Sequence, residues 1–82
     1  MSTELAAALD AFVSVRTSLI AAHNAAHIAT RSSVEAHVWY EAREMYLRIG
    51  NALIAHDEQG KRVFGESTYV DAVLDGLFPA IA

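Results

Sequence analysis

The sequence contains no cysteine. This absence excludes disulfide bonds, thiolate nucleophiles and cysteine-based metal sites. It is typical of chains that work in a reducing compartment, and we expect the protein to be cytoplasmic.

Basic residues are scarce and scattered. Six Lys and Arg stand against ten Asp and Glu, so the net charge is −4. Proteins that bind nucleic acid neutralise phosphates with clustered cations, and the sequence has no such cluster. Nucleic acid is therefore not an expected partner.

Long uninterrupted apolar runs are also missing. A membrane-spanning helix needs about 20 consecutive, mostly apolar residues. The segment Leu5–Ala29 comes nearest, and it is interrupted by Asp10, Arg16, His23, Asn24 and His27. Acidic residues stand near the N-terminus, where a secretory signal would need positive charge followed by an apolar run. We expect no membrane association from these features.

The sequence does have strong helical periodicity. We expect one domain, residues 1–82, with helices over about 3–29, 33–56 and 68–77. Ser2 or Thr3 is suited to cap the first helix, and Ser32 and Glu35 have the spacing of a capping box before the second. Gly60 is suited to end the second helix in a left-handed conformation.

This pattern predicts an all-α fold built on a long antiparallel helical hairpin with a short third helix. The hairpin follows because only a few residues separate the two long helices. Hydrophobic residues make up 54% of the chain, against about 45–50% in ordinary globular proteins. In so short a chain the excess needs a further surface to cover it.

The second helix is predicted to be apolar on two sides. One side carries Val34, Val38, Ala42, Met45, Ile49, Ala52 and Leu53. A second stripe carries Ala36, Tyr40, Leu47 and Ile54, the last three at seven-residue steps. The first helix can cover one side, but a third helix of about 15 Å is too short to cover the other.

We therefore predict a homodimer that completes a four-helix-type bundle. Large apolar and aromatic side chains on the second helix would anchor the interface, and these are Trp39, Tyr40, Tyr46, Leu47 and Ile54. The alternative is that the second stripe consists of scattered surface residues, which monomers tolerate.

A polar cluster interrupts the apolar face of the first helix. The hairpin is predicted to bring together Arg16, His23, His27 and Glu41. One interpretation is a structural polar layer in which Arg16 pairs with Glu41 or Glu44. Another is a divalent metal site, in which His23 and His27 are joined by Glu41, by His37 or by the same residues of a second chain. A third is a pH-sensitive contact through the clustered histidines.

No catalytic constellation is evident, and we expect no enzyme activity. The leading hypothesis is a small non-enzymatic interaction protein that acts through a helical surface, for example as a regulatory or accessory subunit, a phage-type inhibitor or an assembly factor. The alternatives are a metal-binding helical bundle and a carrier of a small ligand held between the helices. No cofactor is expected apart from the metal of the first alternative.

Overall fold

Three helices make up the architecture. The computed structural model describes residues 2–32 and 34–77, in which α1 covers Thr3–Ser32, α2 covers Ala36–Phe64 and α3 covers Glu66–Leu77. The residues so described contain no strand, and the predicted all-α class is confirmed.

Helices α1 and α2 lie side by side in opposite directions. Phe12 packs against His56, whereas His23, further along α1, packs against Tyr46, which is earlier in α2. Contacts that run in opposite order along two helices identify an antiparallel pair. The first helix ends at Ser32 and the second begins at Ala36, so the connection between them is short.

The N-terminal end of α1 is capped as expected, because the Ser2 hydroxyl accepts a 3.1 Å hydrogen bond from the Leu5 amide.

The helix ends near the connection between α1 and α2 differ from the prediction. The capping box predicted from Ser32 and Glu35 is wrong, because Ser32 still belongs to α1 and Glu35 is the residue that precedes α2. The predicted start of α2 at residue 33 lies outside the described residues.

The other end of α2 also differs. We expected Gly60 to end the helix, but α2 continues through it to Phe64. A Cβ atom built on Gly60 would lie 2.6 Å from Cδ1 of the Tyr69 ring, which is far inside van der Waals contact. The glycine is therefore required for the close approach of α3. Gly65, with φ of 90°, makes the turn instead, so α3 begins at Glu66.

Each helix packs against the other two, since α3 contacts both α1 and α2. With 12 residues, α3 covers only part of the hairpin formed by the two long helices, which have 30 and 29 residues. Few residues are fully buried: within residues 2–32 and 34–77 they are Leu9, Ala26, Ala42, Gly60 and Tyr69. The solvent-accessible surface is 6037 Å², whereas a compact monomer of 8.9 kDa exposes about 4,800 Å².

Helix α1 is long and apolar enough to cross a membrane, judged by length and composition alone. Its most apolar 18-residue window has a mean hydropathy of 1.5, and 6% of that window is buried. The polar residues that interrupt this segment, such as Asp10 and Arg16, therefore do not make α1 too polar to meet the criterion of length and hydropathy. Soluble core helices and signal sequences meet the same criterion, so it does not by itself place α1 in a membrane.

The contact between Gly60 and Tyr69 can be tested by Gly60→Ala. We expect the free energy of unfolding to fall by about 1–3 kcal/mol, because the added methyl group overpacks against the ring. Gly50→Ala is the matched control in the same helix. Its Cβ would lie 3.4 Å from His23 Nε2, so we expect a gain of about 0.5–1 kcal/mol from helix propensity.

Urea unfolding followed by circular dichroism measures both values. Equal effects of the two substitutions would show that Gly60 is not needed for the packing of α3.

Candidate functional site

Helix α2 exposes apolar side chains on more than one side. On the side expected to face α1, Val34, Val38 and Met45 are exposed, so the expectation that α1 covers this whole side is wrong. Tyr40, Leu47 and Ile54, which we call the α2 stripe, have exposed fractions of 62%, 44% and 64%. Neither α1 nor α3 covers them. The prediction of a partner required these three side chains to be exposed in a single chain, and they are. The oligomer itself stays a prediction.

Trp39 lies beside the stripe and is held in place by its neighbours. Its ring makes an edge-on contact with Tyr40, with 5.1 Å between centroids. The Arg43 guanidinium carbon lies 5.8 Å from the centre of the Trp39 ring, within the range of a cation–π interaction. Large, partly fixed aromatic groups of this kind commonly anchor protein interfaces.

Tyr46 does not belong to this surface, contrary to the prediction. It is half-buried, and its ring stacks on His23 with 4.1 Å between centroids. His27 lies on the same ring at 5.4 Å. Tyr46 follows the buried Ala42 by one helical turn, and both residues therefore point at α1. Tyr46 is part of the contact between α1 and α2.

The predicted polar cluster is divided among separate places. His23 and His27 are occupied with the Tyr46 ring. Glu41 is exposed and lines a shallow groove on the outside of α2, beside Glu44 and Arg48. The structure does not bring Glu41 together with the two histidines.

The metal-binding alternative gains no support from this arrangement. His37, the other proposed ligand, is exposed, and its Nε2 lies 3.6 Å from the Glu35 carboxylate. In the described part of the chain no three His, Asp or Glu side chains converge as a metal site would require. The set His23, His27, His37 and Glu41 is therefore not a preformed site in a single chain.

Arg16 pairs with a different acid from the one expected. Its Nε donates a hydrogen bond of 2.9 Å to Oδ1 of Asp57, instead of pairing with Glu41 or Glu44. The Tyr69 hydroxyl donates to the same oxygen at 2.6 Å. One carboxylate thus connects side chains from all three helices.

The sequence analysis missed Asp57 because it was interpreted as part of a polar helix end. Once α2 is known to continue, the spacing is informative. Asp57 lies four residues after the half-buried Leu53 and three before the buried Gly60, which places it on the packed side of the helix. An acid at such a position needs a donor, and Arg16 supplies one.

A second contact between α1 and α2 lies next to this ion pair. The rings of Phe12 and His56 stack in near-parallel orientation, with 3.7 Å between centroids. His56 Nε2 lies 2.8 Å from the Phe12 carbonyl oxygen. A carbonyl oxygen only accepts hydrogen bonds, so Nε2 carries the proton and donates it. We call Phe12, Arg16, His56, Asp57 and Tyr69 the three-helix junction.

Tyr69 has an unusual environment within the junction. Only 2% of its surface is exposed. Burial raises the pKa of its phenol well above the ordinary value, the hydrogen bond to the Asp57 carboxylate raises it further, and the Arg16 charge opposes these effects. The phenol therefore stays protonated and inaccessible to a substrate. We interpret the junction as structural.

The small-ligand alternative also finds little support. A groove of about 540 Å³ between α1 and α3 is open to solvent, and polar groups such as Asp10 and Asp75 line it together with small residues. Ligand carriers enclose most of their ligand in an apolar cavity. This groove has neither property.

Comparison of the chain with protein-family models, with curated proteins and with solved structures finds no match. The functional interpretation consequently depends on the contacts and exposed surfaces of the chain itself.

The buried phenol predicts a specific pH dependence. An unfolded tyrosine loses its proton near pH 10, whereas the raised pKa keeps Tyr69 protonated in the folded state. Its contribution to stability is therefore complete below about pH 10 and is lost as the pH rises from there toward the folded pKa. The loss is about 1.4 kcal/mol per pH unit.

Urea unfolding of wild type and Tyr69→Phe between about pH 8 and pH 11 measures this effect. We expect Tyr69→Phe to be less stable by about 1.5–3 kcal/mol at pH 8, because a hydrogen bond to a charged acceptor is lost, and the difference should shrink above pH 10. Tyr40→Phe, which alters an exposed phenol, is the control. A constant difference across the pH range would contradict the assignment.

Proposed function

We propose that the chain is a non-enzymatic protein that associates with itself through the α2 stripe and acts as a helical protein-interaction module. The observation that carries this proposal is the exposure of Tyr40, Leu47 and Ile54 along one line of a helix. Large apolar side chains at regular steps along a helix commonly serve as the anchors of a helical interface.

The whole chain, of which the α2 stripe is only a part, exposes more surface than a compact protein of its mass. The chain exposes about 1,200 Å² more than a compact protein of its mass, when its 6037 Å² is compared with the expected value. A stable protein interface covers about 800 Å² on each partner. One interface of ordinary size would therefore remove most of the excess, and a dimer of this kind forms a four-helix-type bundle from the two pairs of long helices.

The role of such a dimer follows from what its surface offers. In the described residues the phenol with the strongly perturbed pKa is buried, and the histidines lie against aromatic rings or carboxylates. Binding through a rigid helical surface fits these features better than catalysis does. We accordingly propose a regulatory or assembly role in which the bundle binds a further protein.

Leu47→Glu tests the proposed surface. Leu47 is partly exposed in the single chain, so the substitution leaves the packing between α1 and α2 intact. In the dimer it would bury unpaired carboxylates at a cost of about 3 kcal/mol, which corresponds to a dissociation constant about 100-fold higher. Val63→Glu, at an exposed position of α2 away from the stripe, is the control.

Sedimentation equilibrium over a wide concentration range measures the association. We expect wild type and Val63→Glu to be dimers under conditions in which Leu47→Glu is a monomer. If Leu47→Glu loses both helix and dimer while Val63→Glu keeps both, folding depends on association through the stripe, which also supports the proposal. A wild-type chain that stays monomeric at every concentration would refute the proposal.

A further inference from the structure

We propose that a small pocket between α2 and α3 binds an aliphatic carboxylate. The pocket has a volume of about 120 Å³ and lies beside Tyr69 of the three-helix junction. It is on a different side of α3 from the open groove that Asp10 and Asp75 line. This inference goes beyond the proposed function, because it requires neither a second copy of the chain nor the α2 stripe.

The pocket combines an apolar wall from α3 with charged groups from the other two helices. Residues three or four positions apart share one side of a helix, and this spacing brings the lining residues of α2 together and those of α3 together. The lining side chains are Arg16 from α1, Asp57 and Lys61 from α2, and Val70, Val73 and Leu74 from α3.

The charges that line the pocket favour an anion. The cations of Arg16 and Lys61 stand against the single carboxylate of Asp57. That carboxylate already accepts hydrogen bonds from Arg16 and Tyr69 inside the junction. Because the whole chain has a net charge of −4, the local excess of positive charge is a property of this site and not of the surface in general.

Arg16 has donors that its partner in the chain does not use. Its Nε donates to Asp57, and within residues 2–32 and 34–77 its side chain makes no other hydrogen bond. The two terminal nitrogens of the guanidinium group present N–H donors in a fixed fork that matches a carboxylate. The side chain is 21% exposed, so a ligand in the pocket can reach these donors.

Lys61 supplies a second contact for the anion. Its Nζ lies 3.9 Å from the Glu58 carboxylate, and both side chains are in contact with solvent. Ion pairs of this kind contribute little to stability, so Lys61 can turn from Glu58 to a ligand with little loss. Glu58 itself does not line the pocket.

The size and the apolar wall of the pocket select the rest of the ligand. Val70 and Leu74 are exposed, and an aliphatic chain that lies against them removes apolar surface from water. A volume of about 120 Å³ equals the share of about four water molecules in the liquid, so the chain must be short. Such a carboxylate occurs as a free acid and as the C-terminal residue of a peptide.

Sodium hexanoate is the probe for this site. In a titration of the isotope-labelled chain followed by NMR, we expect amide shifts at the pocket residues to saturate with a dissociation constant of about 1 mM, an ordinary value for so small a ligand. Hexanamide, which has the same chain without the charge, and inorganic phosphate, which has the charge without the chain, should each bind at least about tenfold more weakly.

Two pairs of variants test which residues form the site. We expect Lys61→Gln to weaken hexanoate binding about tenfold, whereas Arg62→Gln, which removes an exposed cation outside the pocket, should leave it unchanged. Leu74→Asn should weaken binding about fivefold because the apolar wall is interrupted, and Leu77→Asn, at an exposed leucine of α3 outside the pocket, is its control. Circular dichroism verifies that each variant keeps its helices.

Several results would overturn the proposal. These are equal binding of hexanoate and hexanamide, equal binding of hexanoate and phosphate, equal effects of Lys61→Gln and Arg62→Gln, and shifts that increase without saturation. The peptide acetyl-alanyl-leucine with a free carboxylate distinguishes the two sources of the ligand. Tighter binding of this peptide than of hexanoate would support a peptide C-terminus, and weaker binding would support a free acid.

Discussion

Helix α3 is too short to cover a second side of α2 along its length, and this constraint governs the rest of the structure. With 12 residues it spans about 18 Å, whereas α2 has 29 residues. An apolar side chain of α2 that faces neither α1 nor α3 stays in water. The exposed α2 stripe is a consequence of this difference in length, and we propose that a second copy of the chain covers it.

The three-helix junction fixes the side of α2 on which α3 lies. The Tyr69 ring fills the space that Gly60 leaves open, and its hydroxyl donates to Asp57, which also accepts from Arg16. These contacts hold α3 against the packed side of α2. Because the stripe lies on a different side of the helix, α3 is fixed where it cannot cover Leu47 or the other members of the stripe.

The sequence predicted what depends on periodicity and missed what depends on contacts between distant residues. The seven-residue spacing of Tyr40, Leu47 and Ile54 correctly indicated a line of residues that one chain leaves exposed. Gly60 was misinterpreted as a helix end because a glycine that makes room for another helix looks the same in the sequence. Arg16 was assigned to Glu41 or Glu44 because its real partner, Asp57, was interpreted as part of a polar helix end.

The central claim is that a second copy completes this fold, and the concentration dependence of thermal unfolding tests it most directly. When folding is coupled to dimerisation, mass action makes the midpoint of unfolding rise with protein concentration. We therefore predict that the midpoint increases by several degrees over about a hundredfold range of concentration. A midpoint that is the same at every concentration would show that one chain is stable by itself, and would contradict the account.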